Sequence, residues 1–248
     1  GGSGGPVQID YATSNGDAVA PDDYTAASGT LSWADGDTAP KSITVNTVDD
    51  ALVFKSSFPT PCENVTISDC VLTCNSSAIK FGTQSLGGFR NIAITNCVFE
   101  FCRGLALEQV DGAGLEDVVV SNLTMRDVMN APIFIRLAGR LRAPGVTGPG
   151  TVRRIAISNV IAHDVAPDHG IFIAGLPGHP VTEVRLEGIQ IYSRGGGTAA
   201  DAARPVPEMV RDYPEPMLFG RLPAWGLYAR HAAGLQLRDV SLRLLNAD

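Results

Sequence analysis

Asn64-Val65-Thr66-Ile67-Ser68-Asp69-Cys70 returns, little altered, as Asn91-Ile92-Ala93-Ile94-Thr95-Asn96-Cys97. The phrase comes again as Asp117-Val118-Val119-Val120-Ser121-Asn122-Leu123 and as Arg154-Ile155-Ala156-Ile157-Ser158-Asn159-Val160. Weaker copies are Glu183-Val184-Arg185-Leu186-Glu187-Gly188-Ile189 and Leu235-Gln236-Leu237-Arg238-Asp239-Val240. Their first apolar positions lie 27, 26, 37 and 29 residues apart, and a last step of 51 must hold an insertion. Repeats of this size are stacked supersecondary units, each unable to bury its apolar face alone. Alternation with a period of two, and no helical period, makes those units strands. The column Asp69, Asn96, Asn122, Asn159, Gly188, Asp239 marks where each unit bends. Asn, Asp and Gly tolerate the left-handed backbone that such a bend needs. The expectation is an all-β fold, a right-handed parallel β-helix.

Each repeat carries a second strand. Leu52, Ile79, Leu105, Ile133, Ile171 and Leu227 form one apolar column, and Phe54, Phe81, Leu107, Ile135 and Ile173 another. Both must face inward. The intervening positions then face out on one wall and include Asp50, Lys55, Lys80, Arg103, Glu108, Arg136 and Arg230. Such a wall suits an acidic sugar polymer, or it is simply a solvated face.

The first fifty residues differ in kind. They hold eight Asp, no Glu and one basic residue, Lys41, whereas the rest of the chain is balanced in charge. All five cysteines lie beyond residue 50. Composition therefore places a boundary there, with 1–50 as one segment and 51–248 as the repeat domain. Val7, Ile9 and Tyr11 alternate with polar residues, as do Leu31 and Trp33, then Ile43 and Val45. Asn15-Gly16, Ser28-Gly29 and Asp35-Gly36 read as the turns between short antiparallel strands. Clustered acids such as Asp22 and Asp23 are the kind of oxygen donors that Ca²⁺ prefers. A shell of 6–8 oxygens needs more strands than this segment has, so weak, exposed calcium at Asp22 and Asp23 is the most expected of it.

The formal charge of -7 in 248 residues argues against nucleic acid as a partner, because no basic patch is present. No apolar run approaches the ~18 residues of a membrane-spanning helix, so membrane insertion is not expected. The five cysteines form no Cys-x-x-Cys pair and have no histidine cluster nearby, so they read as small buried apolar residues.

Val7-Gln8-Ile9-Asp10-Tyr11-Ala12-Thr13, Asp22-Asp23-Tyr24 and Ile43-Thr44-Val45 through Asp49-Asp50 resemble the middle of a Calx-beta module. That resemblance implies an immunoglobulin-like β-sandwich of which about half is present. From Asp49 to Arg243 the chain resembles family 28 glycoside hydrolases, the polygalacturonase-like pectin enzymes. The carrying strings are Asp49-Asp50-Ala51-Leu52-Val53-Phe54, Gly87-Gly88-Phe89-Arg90-Asn91, Tyr213-Pro214-Glu215-Pro216 and Leu222-Pro223-Ala224-Trp225-Gly226-Leu227-Tyr228-Ala229-Arg230-His231. The resemblance implies inverting hydrolysis of polygalacturonan or rhamnogalacturonan, with Asp49 as general acid and Asp50 as one carboxylate that activates water. On the charged wall, Lys55, Lys80, Arg103 and Arg136 are the candidate substrate contacts; no metal is expected beyond weak calcium, and the expected state is a monomer that is secreted, periplasmic or on a bacterial cell surface.

The chain departs from that family at several points. The earlier Asn-Thr-Asp strand has no counterpart, the Gly-His-Gly turn falls at Ser76-Ser77-Ala78, and the Arg-Ile-Lys motif falls at Ala106-Leu107-Glu108. Glu108 stands two repeats from Asp50, roughly 9.6 Å at ~4.8 Å per strand, near the ~6.5–9.5 Å of an inverting pair. It is the candidate for the lost carboxylate. The alternative is a non-catalytic carbohydrate-binding or cell-surface adhesion β-solenoid, because a fold outlives its site.

Overall fold

The computed structural model of the chain describes residues 5–13, 20–22, 25–37, 39, 46–47, 49–142 and 145–245. The expected turn at Asn15-Gly16, the strand at Ile43 and Val45, and Asp23 lie outside the described residues. The strands are β1 (Val7–Ala12), β2 (Ser28–Trp33), β3 (Asn46–Thr47), β4 (Leu52–Ser56), β5 (Cys62–Ser68) and β6 (Val71–Cys74). They continue as β7 (Ile79–Ser85), β8 (Phe89–Glu100), β9 (Leu105–Gln109), β10 (Gly114–Arg126), β11 (Ile133–Leu137) and β12 (Thr151–Val165). The last are β13 (Ile171–Ala174), β14 (Val181–Ser193), β15 (Leu227–Arg230), β16 (Ala232–Ala233) and β17 (Gln236–Leu244). Two short 3₁₀ turns, Asp201–Ala203 and Pro216–Phe219, are the only helical elements among the described residues.

Among the described residues β1 and β2 pair antiparallel with each other alone, Val7 opposite Trp33 and Ala12 opposite Ser28. Ser28-Gly29, expected as a turn, instead opens strand β2. Gly29 sits opposite Tyr11, whose hydroxyl would lie 2.9 Å from an added Cβ, so the glycine there makes room for a ring. Asp35-Gly36 is a turn as expected, with Gly36 at φ 77°.

Every other strand belongs to one of two parallel sheets. One runs β4, β7, β9, β11, β13, β15 in space; the other joins β3, β6, β8, β10, β12, β14 and β16, with β5 on β8 and β17 on β14. The chain alternates between them, so neighbours within a sheet are one repeat apart in sequence. β3 already pairs with Thr73 and Cys74, so the parallel arrangement begins ahead of the compositional boundary at Asp50.

The long strands are bent, not straight. Asp69, Asn96, Asn122, Asn159, Gly188 and Asp239 all have φ between 51° and 63°, the left-handed column expected from sequence. Asn159 donates its amide to Asn122 at 3.2 Å, and Asn122 donates to Asn96 at 3.1 Å, so the bend is stitched from level to level. A second left-handed column, Asn64, Asn91, Asp117, Arg154 and Glu183, starts each repeat. Between bends the period-two alternation sends one face inward. Ile79, Leu105, Ile133 and Ile171 stack in register with Phe81, Leu107, Ile135 and Ile173, all buried against Ile92, Ile94, Val118, Val120, Ile155 and Ile157 of the other sheet. Cys74, Cys97 and Cys102 are buried in this core, Cys62 and Cys70 are half-buried, and all five are free thiols. Burial pushes the Cys102 thiol up to about 12.

The insertion between β14 and β15 decides what the outer face of the smaller sheet can do. Its outward column is Lys80, Ala106, Phe134, Phe172 and Tyr228, mostly apolar. Phe219 and Leu222 of the insertion close over Ala106, Phe134 and Phe172 as a second apolar cluster. The segment from about residue 204 to 222 is therefore a strap across this wall. No helix among the described residues is long and apolar enough to cross a membrane.

Candidate functional site

The expected substrate wall is the one that the strap covers. Lys80, Glu108 and Arg136 do point away from the core, yet they are 1%, 0% and 0% exposed. The expectation of an open wall is thus corrected at these three positions: apolar neighbours in the same columns required a cover, and the strap supplies it.

Arg136 is occupied in holding that cover. Its guanidinium donates to the carbonyls of Gly175 (3.2 Å), Glu208 (2.7 Å) and Met209 (2.9 Å), and it lies 5.2 Å from the Phe219 ring. Burial, and then the charge of Arg230, pull its pKa down to about 10. Arg230 grips the strap one position along, donating to the carbonyls of Val206 (2.7 Å) and Pro207. Both arginines are structural clamps in this arrangement.

At the start of the sheet the charged groups converge on one ammonium. Lys80 Nζ lies 2.6 Å from Glu215 Oε1, 3.8 Å from Asp50 Oδ2 and 4.0 Å from Glu108 Oε1. It also donates to the Tyr213 hydroxyl at 3.3 Å and sits 4.9 Å from that ring. Arg103 approaches Glu215 from the other side at 3.6 Å. Burial alone lowers the pKa of Lys80, but Glu108, Glu215 and Asp50 outweigh it and hold the ammonium above its ordinary value. Glu108 goes the other way from a usual carboxylate. Burial first, with the charges of Glu215 and Asp50 added, raises its pKa well above the ordinary range despite Lys80. Neither of its oxygens has a hydrogen-bond partner among the described residues. Gly82 presses on it, since a Cβ there would come 2.9 Å from Glu108 Cβ.

Asp50 is fixed by its neighbours: the Ser76 hydroxyl donates to Oδ1 at 2.7 Å and the Ser77 amide at 2.9 Å. Ser76 and Ser77, where the resemblance called for a Gly-His-Gly turn, are thus the residues that hold Asp50. Asp49 is exposed and its Oδ1 accepts the Asp50 amide at 2.8 Å. Lys55 and Val53 are exposed on β4, which follows. Among the described residues β4 is the last strand of its sheet, and the cluster lies at that edge, beyond the strap. Side-chain exposure of 11% for Asp50, 10% for Glu215 and 29% for Arg103, with Tyr213 at 43%, defines the mouth.

Of the seven expected site residues, four gather here, Asp50, Lys80, Arg103 and Glu108, and Asp49 adjoins them through the Asp50 amide. Lys55 stands on the exposed edge, and Arg136 lies elsewhere under the strap. Sequence reasoning missed Glu215 and Tyr213, which reach the site from an insertion about 135 residues from Lys80. A signal did exist, because an outward column reading Ala106, Phe134, Phe172, Tyr228 announces a covered face.

The groove on the outer face of the larger sheet, about 900 Å³, has a floor of Thr66, Ala93, Val119 and Ala156. Its charged edge is satisfied internally, with Arg154 bonded to Asp117 at 2.7 Å and to Glu116 at 2.9 Å. Of the two residues expected to bind calcium weakly, Asp22 is exposed and Asp23 lies outside the described residues; no group of three His, Cys, Asp or Glu side chains that could hold a metal occurs among the described residues.

In comparison with known proteins, the family model of the Calx-beta domain matches residues 1–57. That match runs past the compositional boundary and takes in Asp49, Asp50 and all of β4. No curated protein and no solved structure matches the chain.

Proposed function

We propose that the two parallel sheets are walls of a right-handed parallel β-helix, and that the chain is a glycoside hydrolase of the polygalacturonase type. Its substrate class is an acidic, pectin-type polysaccharide, polygalacturonan or rhamnogalacturonan, met as a monomer outside the cytoplasm of a bacterium. The observation that supports this best is the convergence of Asp49, Asp50, Lys80 and Arg103 at the open edge of the smaller sheet. Asp49 protonates the leaving oxygen, and Asp50 takes part in activating water on the other side of the sugar. Arg103, and Lys55 at the edge, attract the sugar carboxylates. Lys80 lies beneath and keeps the acids from repelling one another apart.

One observation favours a second reading, a carbohydrate-binding or adhesion β-solenoid without turnover. The strap hides Glu108 and Arg136 and leaves only the edge of the wall accessible. Reducing-end release from polygalacturonate and rhamnogalacturonan, set beside that of Asp49→Asn, separates the two. Turnover lost in Asp49→Asn supports the hydrolase; binding of either polymer with no turnover in the natural chain selects the binding module.

A further inference from the structure

Resting on the hydrolase reading, we infer that Glu215, carried by the strap, is the second water-activating carboxylate, in the role for which sequence alone offered Glu108. Glu108 is fully buried under Gly82 and the strap, so neither of its oxygens can meet a water that attacks a sugar. Glu215 stands at the mouth. Its side chain is 10% exposed, like that of Asp50 at 11%, and both carboxylates lie beside Lys80 Nζ, at 2.6 and 3.8 Å. Their nearest oxygens are thus no more than about 6.5 Å apart. A water donating one hydrogen bond of ~2.8 Å to each carboxylate bridges oxygens up to ~5.6 Å apart, a span that lies within that limit. Arg103 closes one side at 3.6 Å from Glu215, and the half-open Tyr213 ring offers an apolar face beside it.

The step balances within the protein and substrate. Oxygen of the held water attacks the anomeric carbon while the glycosidic C–O bond breaks. The water proton passes to Glu215, and the Asp49 proton goes to the leaving oxygen. Solvent then returns both carboxyls to their starting states. No oxidant, metal or further reactant is required.

The strap thus serves two purposes. Arg136 and Arg230 fasten it through the carbonyls of residues 206–209, and that fastening holds the segment that carries Glu215. Removing the carboxylate while keeping its shape tests the assignment.

Glu215→Gln retains an oxygen for Lys80, so the fold should hold, as thermal unfolding and circular dichroism would verify. A general base contributes about 10²–10⁴-fold, so kcat on polygalacturonate or rhamnogalacturonan should fall at least ~100-fold with KM within a few-fold. Azide, an anion that needs no base, should restore bond cleavage in Glu215→Gln and give the glycosyl azide. Glu116→Gln, on the outer face of the larger sheet, should keep kcat within a few-fold of the natural chain. If the natural chain turns over substrate and Glu215→Gln does so nearly as well, or azide rescues nothing, Glu215 is not the base and only this inference fails. If the natural chain releases no reducing ends from either polymer, the hydrolase reading itself fails.

Discussion

Replacing Lys80 with Met leaves three carboxylates around a vanished charge, and its consequence follows from the distances. The Lys80–Glu215 contact of 2.6 Å is the shortest of the three, with Asp50 at 3.8 Å and Glu108 at 4.0 Å. At an effective dielectric of ~20 the first attraction is on the order of 6 kcal/mol before desolvation. Burying the ammonium at 1% exposure cancels much of this. What remains when one partner is removed from a buried ion cluster is about 3–5 kcal/mol. Lys80→Met should therefore lose about that much in urea unfolding at pH 7.5, followed by Trp fluorescence.

The pH dependence carries a sign of its own. Glu108 has its folded pKa raised, so its contribution is full below the ordinary glutamate range and is lost as pH rises through the folded value. Without Lys80 that folded value climbs further, and the penalty of Lys80→Met should grow between pH 5 and pH 8. Glu108→Gln is fixed in the neutral form and should flatten the pH profile of stability. The double variant Lys80→Met, Glu108→Gln should be less damaged than Lys80→Met alone, because one source of repulsion is gone. A loss under ~1 kcal/mol, or an equal penalty at pH 5 and pH 8, would mean that the cluster is not electrostatically coupled as its geometry requires.

Two further outcomes test the fold around the site. Arg136→Met removes two bonds to the strap and one to Gly175 and should cost about 3–5 kcal/mol locally, read as at least tenfold faster proteolysis between residues 204 and 222 while the sheets resist. Asn122→Ala forces alanine into φ 55° and breaks two ladder bonds, for a loss of about 2–3 kcal/mol; Asn122→Gly should lose only about 1 kcal/mol, and equal losses would rule out the backbone as the reason for Asn.

The stacked core was legible because a parallel arrangement repeats one local rule at every level. An inward position that is apolar once must be apolar at each level, so Leu105 predicts Ile133 and Ile171 as surely as it is packed by them. The bend at Asp69 and Asn96 was legible for the same reason, since left-handed backbone selects a few residue types. The first bend of each repeat was harder to read. Arg154 and Glu183 adopt it at φ 54° and 56°, and Arg154 is there bonded to Asp117 on the level below. Cross-level pairing thus holds residues that intrinsic preference would not have chosen, and a reading by turn propensity passes over them.

The site was legible only as far as the repeat extends. Asp50, Lys80 and Glu108 were found because they fall on one wall, and their sequence spacing translates into levels of a stack. Their environment was not found, because an insertion obeys no repeat. Nothing in Tyr213-Pro214-Glu215-Pro216 itself says that Glu215 will sit 2.6 Å from Lys80. Yet the wall required some such group. One buried ammonium beside Asp50 and Glu108 needs its cover to bring polar partners, because an apolar lid over those charges would leave them without hydrogen bonds. The strap meets that need with the carbonyls of Glu208 and Met209 for Arg136 near its start and with a phenol and a carboxylate for Lys80 midway. Apolar Phe219 and Leu222 follow, over Phe134 and Phe172. The outward columns of the wall therefore match the polarity of the strap along its length, and its carboxylate lies where the charged column needs a partner.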